Sequence, residues 1–401
     1  MVMTTPKNSL PLIKETLYRH PGISRTQMSD LLGLKNPSII PYISDLLAKG
    51  LIREQKSENG IKKEGAGRKQ VKLELASESR YVIGIELGPY ATYLCLSDLA
   101  GNPVFKKTSE VAPNDYSRLL EMCSSIINDA LNSSRTDKSL ILGISVGVPG
   151  YIDKQSGIIR TVSDRPEWTE RKLAEDLMSI THIPVTLENN TRARAKAAGL
   201  FLTKPEITYF AYLLVAKGIA CPIMVNGNDI SQRTAGAGEV DYTIVDYSLA
   251  LNSQNEDDGR LISESSEKAL LTKCKKIMAE HTDTLLNNLV KKDKELEVSH
   301  ILTAYDREDP YVSSVMKKAI KYLGFTIGNI INVINPQIFY IDAYIMKNEK
   351  NRELLKSYIY KSLKRLTYNE VSLEFLDFNQ YRGAIGSTAD AIYTFFIYSN
   401  V

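Results

Sequence analysis

The run LENNTRARAKAAG, residues 187–199, gathers groups suited to holding a polar ligand: the Glu188 carboxylate, the amides of Asn189 and Asn190, and the guanidinium groups of Arg192 and Arg194. It follows the apolar stretch IPVTL, so it reads as a strand delivering polar side chains to the start of a helix. Amides and carboxylates can hydrogen-bond the hydroxyls of a polar ligand. Proton transfer asks more, because an amide hydrogen-bonds a hydroxyl but cannot accept its proton. The two arginines, Arg192 and Arg194, would suit an acidic or phosphorylated group on such a ligand. The same amides also have a local use, since Asn189 and Asn190 stand where they would cap the helix ARAKAAGLF.

The elements around this run belong to a long chain. At 401 residues it exceeds one ordinary core and implies two or three domains. A composition of 43% hydrophobic and 24% charged residues is that of a globular protein, and no stretch approaches the roughly 18 uninterrupted apolar residues of a membrane helix. The segment MVMTTPKNSLPLIKETLYRH has no apolar core of signal-peptide type, so a cytoplasmic protein with no membrane partner is expected. Cys95, Cys123, Cys221 and Cys274 are scattered, away from the histidines, which points to reduced buried thiols and no zinc site. The net charge of +3 is uneven. Residues 1–76 hold 13 Lys and Arg against 7 Asp and Glu, a net +6, leaving −3 on the remainder, so a polyanion partner is expected for the first segment alone.

Within those first residues, Leu10, Ile13 and Leu17 space one apolar helical face before the break at His20-Pro21-Gly22. Ser24 is the N-cap of a second helix, with Gln27 at the capping-box position and Gly33 as its stop. Asn36-Pro37 opens a third, carrying Ile39, Ile43, Leu46 and Leu47. LIREQK, a turn at Glu58-Asn59-Gly60 and the alternating QVKLELA then predict a hairpin. Three helices and a hairpin make a winged helix-turn-helix, in which the third helix enters a major groove. Pro41, at or beyond the first turn of that helix, is expected to delay its start or kink it.

The run SRTQMSDLLGLKNPSIIPYISDLLAKGLI followed by GAGRKQVKLEL resembles the DNA-binding end of repressors in the ROK family, named for repressors, open reading frames and kinases. The resemblance implies that Gly67-Arg68, with Lys69 beside it, hooks an AT-rich minor groove, whose narrow width concentrates negative potential. It also marks a departure. Where relatives place Ser and Arg on the reading helix, this chain has Ile40 and Pro41, neither of which donates to a guanine edge. Readout is therefore expected from Ser38, Tyr42, the thymine-methyl contact open to Ile40, and the wing, with Arg25, Lys35, Lys62, Lys63, Arg68 and Lys69 on phosphates.

From residue 80 onward, strands alternate with helices, the mark of α/β layers. RYVIGIELG, ATYLCLSD and VFKKTSEV predict a meander, Tyr116–Asn132 a helix, ILGISVGVPG a buried strand, and Tyr311–Asn335 a long amphipathic helix feeding the strand NPQIFYID. The similar openings RYVIGIELG and ITYFAYLLVAKG hint at duplication. VGVPGYIDKQSGII, PVTLENNTRARA, AGAGEVDYTIV and NPQIFYIDAYI resemble, in order, the GIPGPVD, PV-x-x-END-A-N, GE-I-GH and NP-x-x-I-x-x-GG-G segments of the ROK body. The resemblance implies a duplicated ribonuclease-H-like, actin-like sugar kinase fold. Its expected lobes are roughly 77–190 with a C-terminal return and 191–380, behind a DNA-binding domain at 1–76.

Against that pattern the kinase chemistry is expected to be missing. The family's catalytic Asp is matched by Asn190, its first phosphate loop by Glu86-Leu87-Gly88-Pro89-Tyr90, its second by Ala216-Lys217-Gly218-Ile219-Ala220-Cys221-Pro222, and its adenosine-side glycines by Asp342-Ala343-Tyr344. Side chains and a proline replace the small residues that let backbone N–H groups approach an anion. No ATP or other cofactor is therefore expected. The family's zinc is not expected either, because 246–266 contains neither Cys nor His and Tyr242 replaces the family's His. Asn189, Asn190, Glu239 and Tyr242 stand at the resemblance's sugar-binding positions. Together these imply a transcriptional regulator, a repressor that binds a two-fold operator as a homodimer or a dimer of dimers and senses a sugar or sugar derivative. The alternative is a ligand-independent DNA-binding or dimerisation scaffold.

Overall fold

The computed structural model describes residues 9–55, 71–230, 238–291, 294–364 and 371–399. The chain forms two compact units, one of 1–206 with 380–401 and one of 207–379.

The first unit opens with α1 (Leu10–Arg19), β1 (Ile23–Ser24), α2 (Arg25–Leu32), α3 (Asn36–Ala48), β2 (Ile52–Gln55) and β3 (Lys72–Leu75). Ile13 and Leu17 of α1, Met28 of α2, Ile39, Ile43 and Leu46 of α3, and Leu73 of β3 share one buried core. Each such side chain taken out of water contributes about 1.5–3 kcal/mol. The capping box is present: Ser24 Oγ accepts from Gln27 N at 3.2 Å while Gln27 Oε1 accepts from Ser24 N at 2.9 Å. Gly33 closes α2 at φ +63°, a left-handed conformation that glycine adopts without strain. The strands pair antiparallel in the order β1-β3-β2. The turn joining β2 to β3, with Glu58-Asn59-Gly60, Gly67, Arg68 and Lys69, lies outside the described residues. Pro41 does not delay its helix, for α3 runs from Asn36 through it. Residue 41 is exposed, so the ring meets solvent, and the carbonyl of Pro37, which the missing N–H cannot reach, is on the exposed side as well.

Beyond a single helical turn come β4 (Tyr81–Leu87), β5 (Thr92–Asp98), β6 (Pro103–Ser109), α4 (Tyr116–Ser134), β7 (Ile141–Val148), β8 (Tyr151–Asp153), β9 (Ile158–Thr161), α5 (Leu173–Thr181), β10 (Val185–Asn189) and α6 (Asn190–Ala197). Five strands form a sheet ordered β10-β7-β4-β5-β6. β4, β5 and β6 are antiparallel neighbours, whereas β7 lies parallel to β4 and β10 parallel to β7. β4 and β7 are buried almost throughout, which explains their unbroken apolar runs.

The second unit contains β11 (Tyr209–Val215), β12 (Ile219–Ala220), β13 (Ile223–Val225), β14 (Asn228–Asp229), α7 (Tyr247–Asn252), α8 (Leu261–Ser265), α9 (Glu267–Glu280), α10 (Leu286–Leu289), α11 (Val298–Asp306), α12 (Pro310–Ile334), β15 (Ile338–Ala343), α13 (Glu349–Ser362) and β16 (Ser372–Phe375). Its sheet is ordered β14-β13-β11-β15-β16, with β12 also on β11. β11 pairs antiparallel with β13 and parallel with β15, and β15 is parallel to β16. An antiparallel meander on one side of the founding strand and two parallel strands on the other is the pattern of the first sheet. The duplication hinted at by the two apolar openings is thus present in the strand order.

The chain then returns to the first unit as α14 (Arg382–Ile392) and a π-helical turn, Tyr393–Ile397. α14 packs across β4, β7 and α6. That packing holds α6 in the first unit, so the division falls at 206 rather than at 190. The closest approach is at Gly84, where an added Cβ would lie 2.2 Å from the Ala384 carbonyl oxygen and 2.4 Å from Thr388 N. Both neighbours are backbone and cannot turn aside. Gly84→Ala is expected to destabilise the first unit by about 3 kcal/mol or more, read as a lower denaturant midpoint.

The same return holds α1. The buried Lys14 ammonium donates to the carbonyls of Phe396 at 2.7 Å and Ser399 at 2.9 Å, and the Tyr18 hydroxyl donates to the Leu99 carbonyl. Burial, reinforced by Lys49 and opposed by Asp45, pushes the Lys14 amine down to about 8.

Candidate ligand and DNA sites

The Asn189-Asn190 turn is built by β10 running into α6. Asn189 is the N-cap of α6: its Oδ1 accepts from Thr191 N at 3.0 Å and Arg192 N at 3.2 Å, and its Nδ2 donates to the Gly150 carbonyl at 3.1 Å. The capping use therefore occupies this amide's side chain. Asn190, half-buried, begins the helix, and its Oδ1 accepts from Thr191 Oγ1 at 3.4 Å.

Behind the turn lies a buried ionic cluster that no local motif announces. Glu188 Oε2 accepts from Lys154 Nζ at 2.9 Å and Lys196 Nζ at 2.5 Å. Asp390 Oδ1 of α14 accepts from Lys196 at 2.6 Å and also from Lys154, while Asp390 Oδ2 accepts from Ser145 Oγ at 2.8 Å. Two ammonium groups and two carboxylates thus neutralise one another. Burial alone would raise the Glu188 carboxyl, but Lys196 and Lys154 hold it well below the usual carboxylate range. Burial would likewise lower Lys196, yet Asp390 and Glu188 raise it well above the usual amine range.

The first loop is also filled from within. Glu86, at the end of β4 and 1% exposed, accepts from Arg194 Nη2 at 2.6 Å. Its carboxylate lies against the start of α14, so that a Cβ on Gly383 would be 1.9 Å from Glu86 Cδ. Arg194, read from the sequence as a contact for an acidic sugar, is thereby engaged by an internal carboxylate. Pro89 and Tyr90 follow in the hairpin turn closed by Gly88 N donating to the Ala91 carbonyl at 3.1 Å.

In the second unit, Ala216-Lys217-Gly218 forms the turn between β11 and β12, with Ala216 N donating to the Gly218 carbonyl at 2.9 Å. Cys221 is buried, which pushes its thiol up to about 12, and its N–H donates to the Gly238 carbonyl at 2.7 Å. Asp342 accepts from the Tyr212 hydroxyl at 2.7 Å. Glu239, half-buried, opens the single helical turn Val240–Tyr242. Tyr242 does not turn inward: it is 54% exposed, its ring faces the Arg260 guanidinium at 5.7 Å, and its carbonyl accepts from Arg260 at 3.0 Å. The inward side chain is Asp241, at the place of the second glycine in the family's GE-I-GH pattern. Burial pushes its carboxyl up to about 6, against the lowering effect of backbone N–H groups at 241 and 242, with Asp257 adding repulsion.

That shift gives a pH prediction. A carboxyl higher in the folded than in the unfolded chain binds more protons when folded, so its contribution is present below the unfolded value of about 4 and is lost as pH rises through about 6. The loss is at most about 3 kcal/mol. Asp241→Asn is expected to raise the melting temperature at pH 7.5 and to flatten the stability profile between pH 4 and 6.5 in thermal scans.

Residues 246–266 fold into α7 and α8 without a Cys or His, and no cluster of metal-holding side chains occurs among the described residues. These residues do not fit the family's zinc. No helix among the described residues is long and apolar enough to cross a membrane.

At the other end of the first unit, α3 exposes Ser38, Ile40, Pro41 and Ser44, while Tyr42 is half-buried against the module's core. Ile40 is 44% exposed. Arg25, at the start of α2, forms an exposed ion pair with Glu54 of β2 at 2.6 Å. Sequence reasoning named Arg25, Ser38, Ile40, Pro41, Tyr42 and Asn189, but did not single out Ser44, and it missed Lys154, Lys196 and Asp390, whose partners are distant in the chain. Asp241 carried a visible signal, an acid where the family pattern has glycine.

Known proteins agree with this architecture. The chain is 26% identical over 332 residues to a xylose repressor of Caldicellulosiruptor bescii, covering 82% of this chain and 81% of that one. It is 22% identical over 327 residues to the DNA-binding transcriptional repressor Mlc of Escherichia coli, covering 81% and 78%. A crystal structure of a ROK family transcriptional regulator, homologous to that Mlc protein, superposes with a TM-score of 0.79 at 19% identity and covers 97% of each chain. The ROK family description matches residues 82–392, and this chain belongs to the ROK family.

Proposed function

We propose that this protein is a DNA-binding transcriptional regulator, a repressor of carbohydrate-related genes, whose body senses a sugar or sugar derivative and does not phosphorylate it. The observation that carries this reading is a three-helix module with an exposed apolar and hydroxyl face on α3, joined to a body in which Asn190 replaces the family's base and Glu86 with Arg194 fills the first loop. Residues 1–76 act as a winged helix-turn-helix and 77–401 as the sensor. Relatives named as a xylose repressor and as a DNA-binding transcriptional repressor support it. A two-fold operator calls for a homodimer. The sugar-contact candidates are Asn189 and Asn190 in the first unit and Glu239 in the second.

The ionic cluster offers a physical route for coupling. Asn189 N donates to Glu188 Oε1 at 3.0 Å; Glu188 is tied through Lys154 and Lys196 to Asp390 of α14, and the turn after α14 accepts from Lys14 of α1. A ligand changes DNA affinity only by preferring one arrangement of such elements. Lys14→Met is expected to leave operator binding intact and to abolish its response to ligand.

The reading is tested by selecting genomic DNA fragments with the purified protein near physiological salt and sequencing them. Enrichment of a palindromic, AT-flanked site beside sugar-utilisation genes is expected. A second reading, a ligand-independent DNA-binding or dimerisation scaffold, is favoured by the capping commitment of Asn189. A saturable sugar isotherm lost in Glu239→Ala would count against it.

A further inference from the structure

Asp241, like Tyr305, Thr326 and Asn351, has a buried polar atom without a hydrogen-bond partner among the described residues of the second unit, and of these four side chains it alone is a carboxylate. It is 8% exposed, and its Oδ1 is buried with no hydrogen-bond partner. Its Oδ2 lies 3.9 Å from the position a Cβ would take on Gly218, which places the carboxyl against the β11–β12 turn. That turn is the second phosphate loop of the kinase pattern, so a negative group stands where the family receives an anion. Meanwhile Tyr242, the residue matched to the family's sugar-binding His, is turned to solvent against Arg260.

A buried carboxylate oxygen without a donor is costly, and the cost is relieved by a ligand that brings one. A phosphate cannot do so, because it adds a second negative charge in a poorly solvated place. A sugar hydroxyl or an ammonium can, through a charge-assisted hydrogen bond.

We propose that Asp241 is a specificity-determining effector contact, accepting a hydrogen bond from a hydroxyl or amine of an uncharged or amino sugar and excluding phosphorylated sugars and nucleotides. The assignment rests on the sugar-sensing reading above. It moves the contact one residue along from Tyr242.

The test is isothermal titration of the full-length protein, its Asp241→Asn and Asp241→Ala variants and a Tyr242→Phe control with D-xylose, D-glucose, D-glucosamine and D-glucose 6-phosphate, with melting curves confirming folded variants. At least one free sugar is expected to bind the wild type and glucose 6-phosphate to fail. Both Asp241 variants should lose about tenfold or more in affinity, whereas Tyr242→Phe is unchanged. Unchanged sugar affinity in the Asp241 variants, tighter binding of glucose 6-phosphate than of any free sugar, or no binding of any free sugar overturns the assignment. Operator binding is measured separately on the same samples. Its loss alone removes the regulator reading, while loss of the sugar isotherm alone removes the sensor.

Discussion

Lys196→Met is expected to cost about 3–5 kcal/mol of unfolding free energy. Lys196 is 13% exposed at its side chain and bridges Glu188, at 6%, and Asp390, at 0%. Removing it leaves two buried carboxylates sharing one remaining ammonium, that of the more exposed Lys154. Methionine restores the volume, so the loss reports charge rather than a cavity. The double variant Lys196→Met with Asp390→Asn should recover part of it, because one cation and one anion then remain. Chemical denaturation of the wild type and the two variants reads the comparison, and a Lys196→Met cost below about 1 kcal/mol would show that the cluster is solvated like a surface pair.

The second large effect concerns DNA. With α3 as the groove-entering helix proposed above, Ile40→Glu is expected to lower affinity for the selected operator by a factor of about 100 or more, since a carboxylate would then stand beside phosphates and thymine methyl groups. Ile40 is already 44% exposed and outside the module's core, so the fold should survive. The conservative Ile40→Val should cost tenfold at most. Replacing operator thymines with deoxyuridine should weaken the wild type and leave Ile40→Ala nearly indifferent.

Much of this architecture was legible in the residues. The Ser24–Gln27 capping box, the stop at Gly33 and the run feeding α12 are local signals, and local hydrogen bonds and periodicity enforce them in the fold. The strand meander of β4–β6 followed from apolar runs separated by turns at Gly88-Pro89 and Gly101-Asn102. Pro41 was expected to delay the start of α3 or kink it; the helix starts at Asn36, and at this exposed position the carbonyl left without a donor is open to solvent. The site was less legible. Asn189 offered two roles from one position, and only geometry assigns its side chain to the cap. Glu188 and Asp390 are brought together by the C-terminal return, a packing of α14 on β4 and β7 that no short motif encodes. Tyr242 was placed by alignment to a pattern, whereas the direction of its side chain is set by the turn at Val240–Tyr242, which faces Asp241 inward instead.

The central claim is sequence-specific DNA binding by the N-terminal module. Competition between the selected operator and a scrambled duplex of the same length and composition, at about 150 mM salt, measures it most directly. A preference for the operator of about a thousandfold or more, lost in Ile40→Glu, is the expected result. Equal affinity for both duplexes, or a preference untouched by Ile40→Glu, would contradict it.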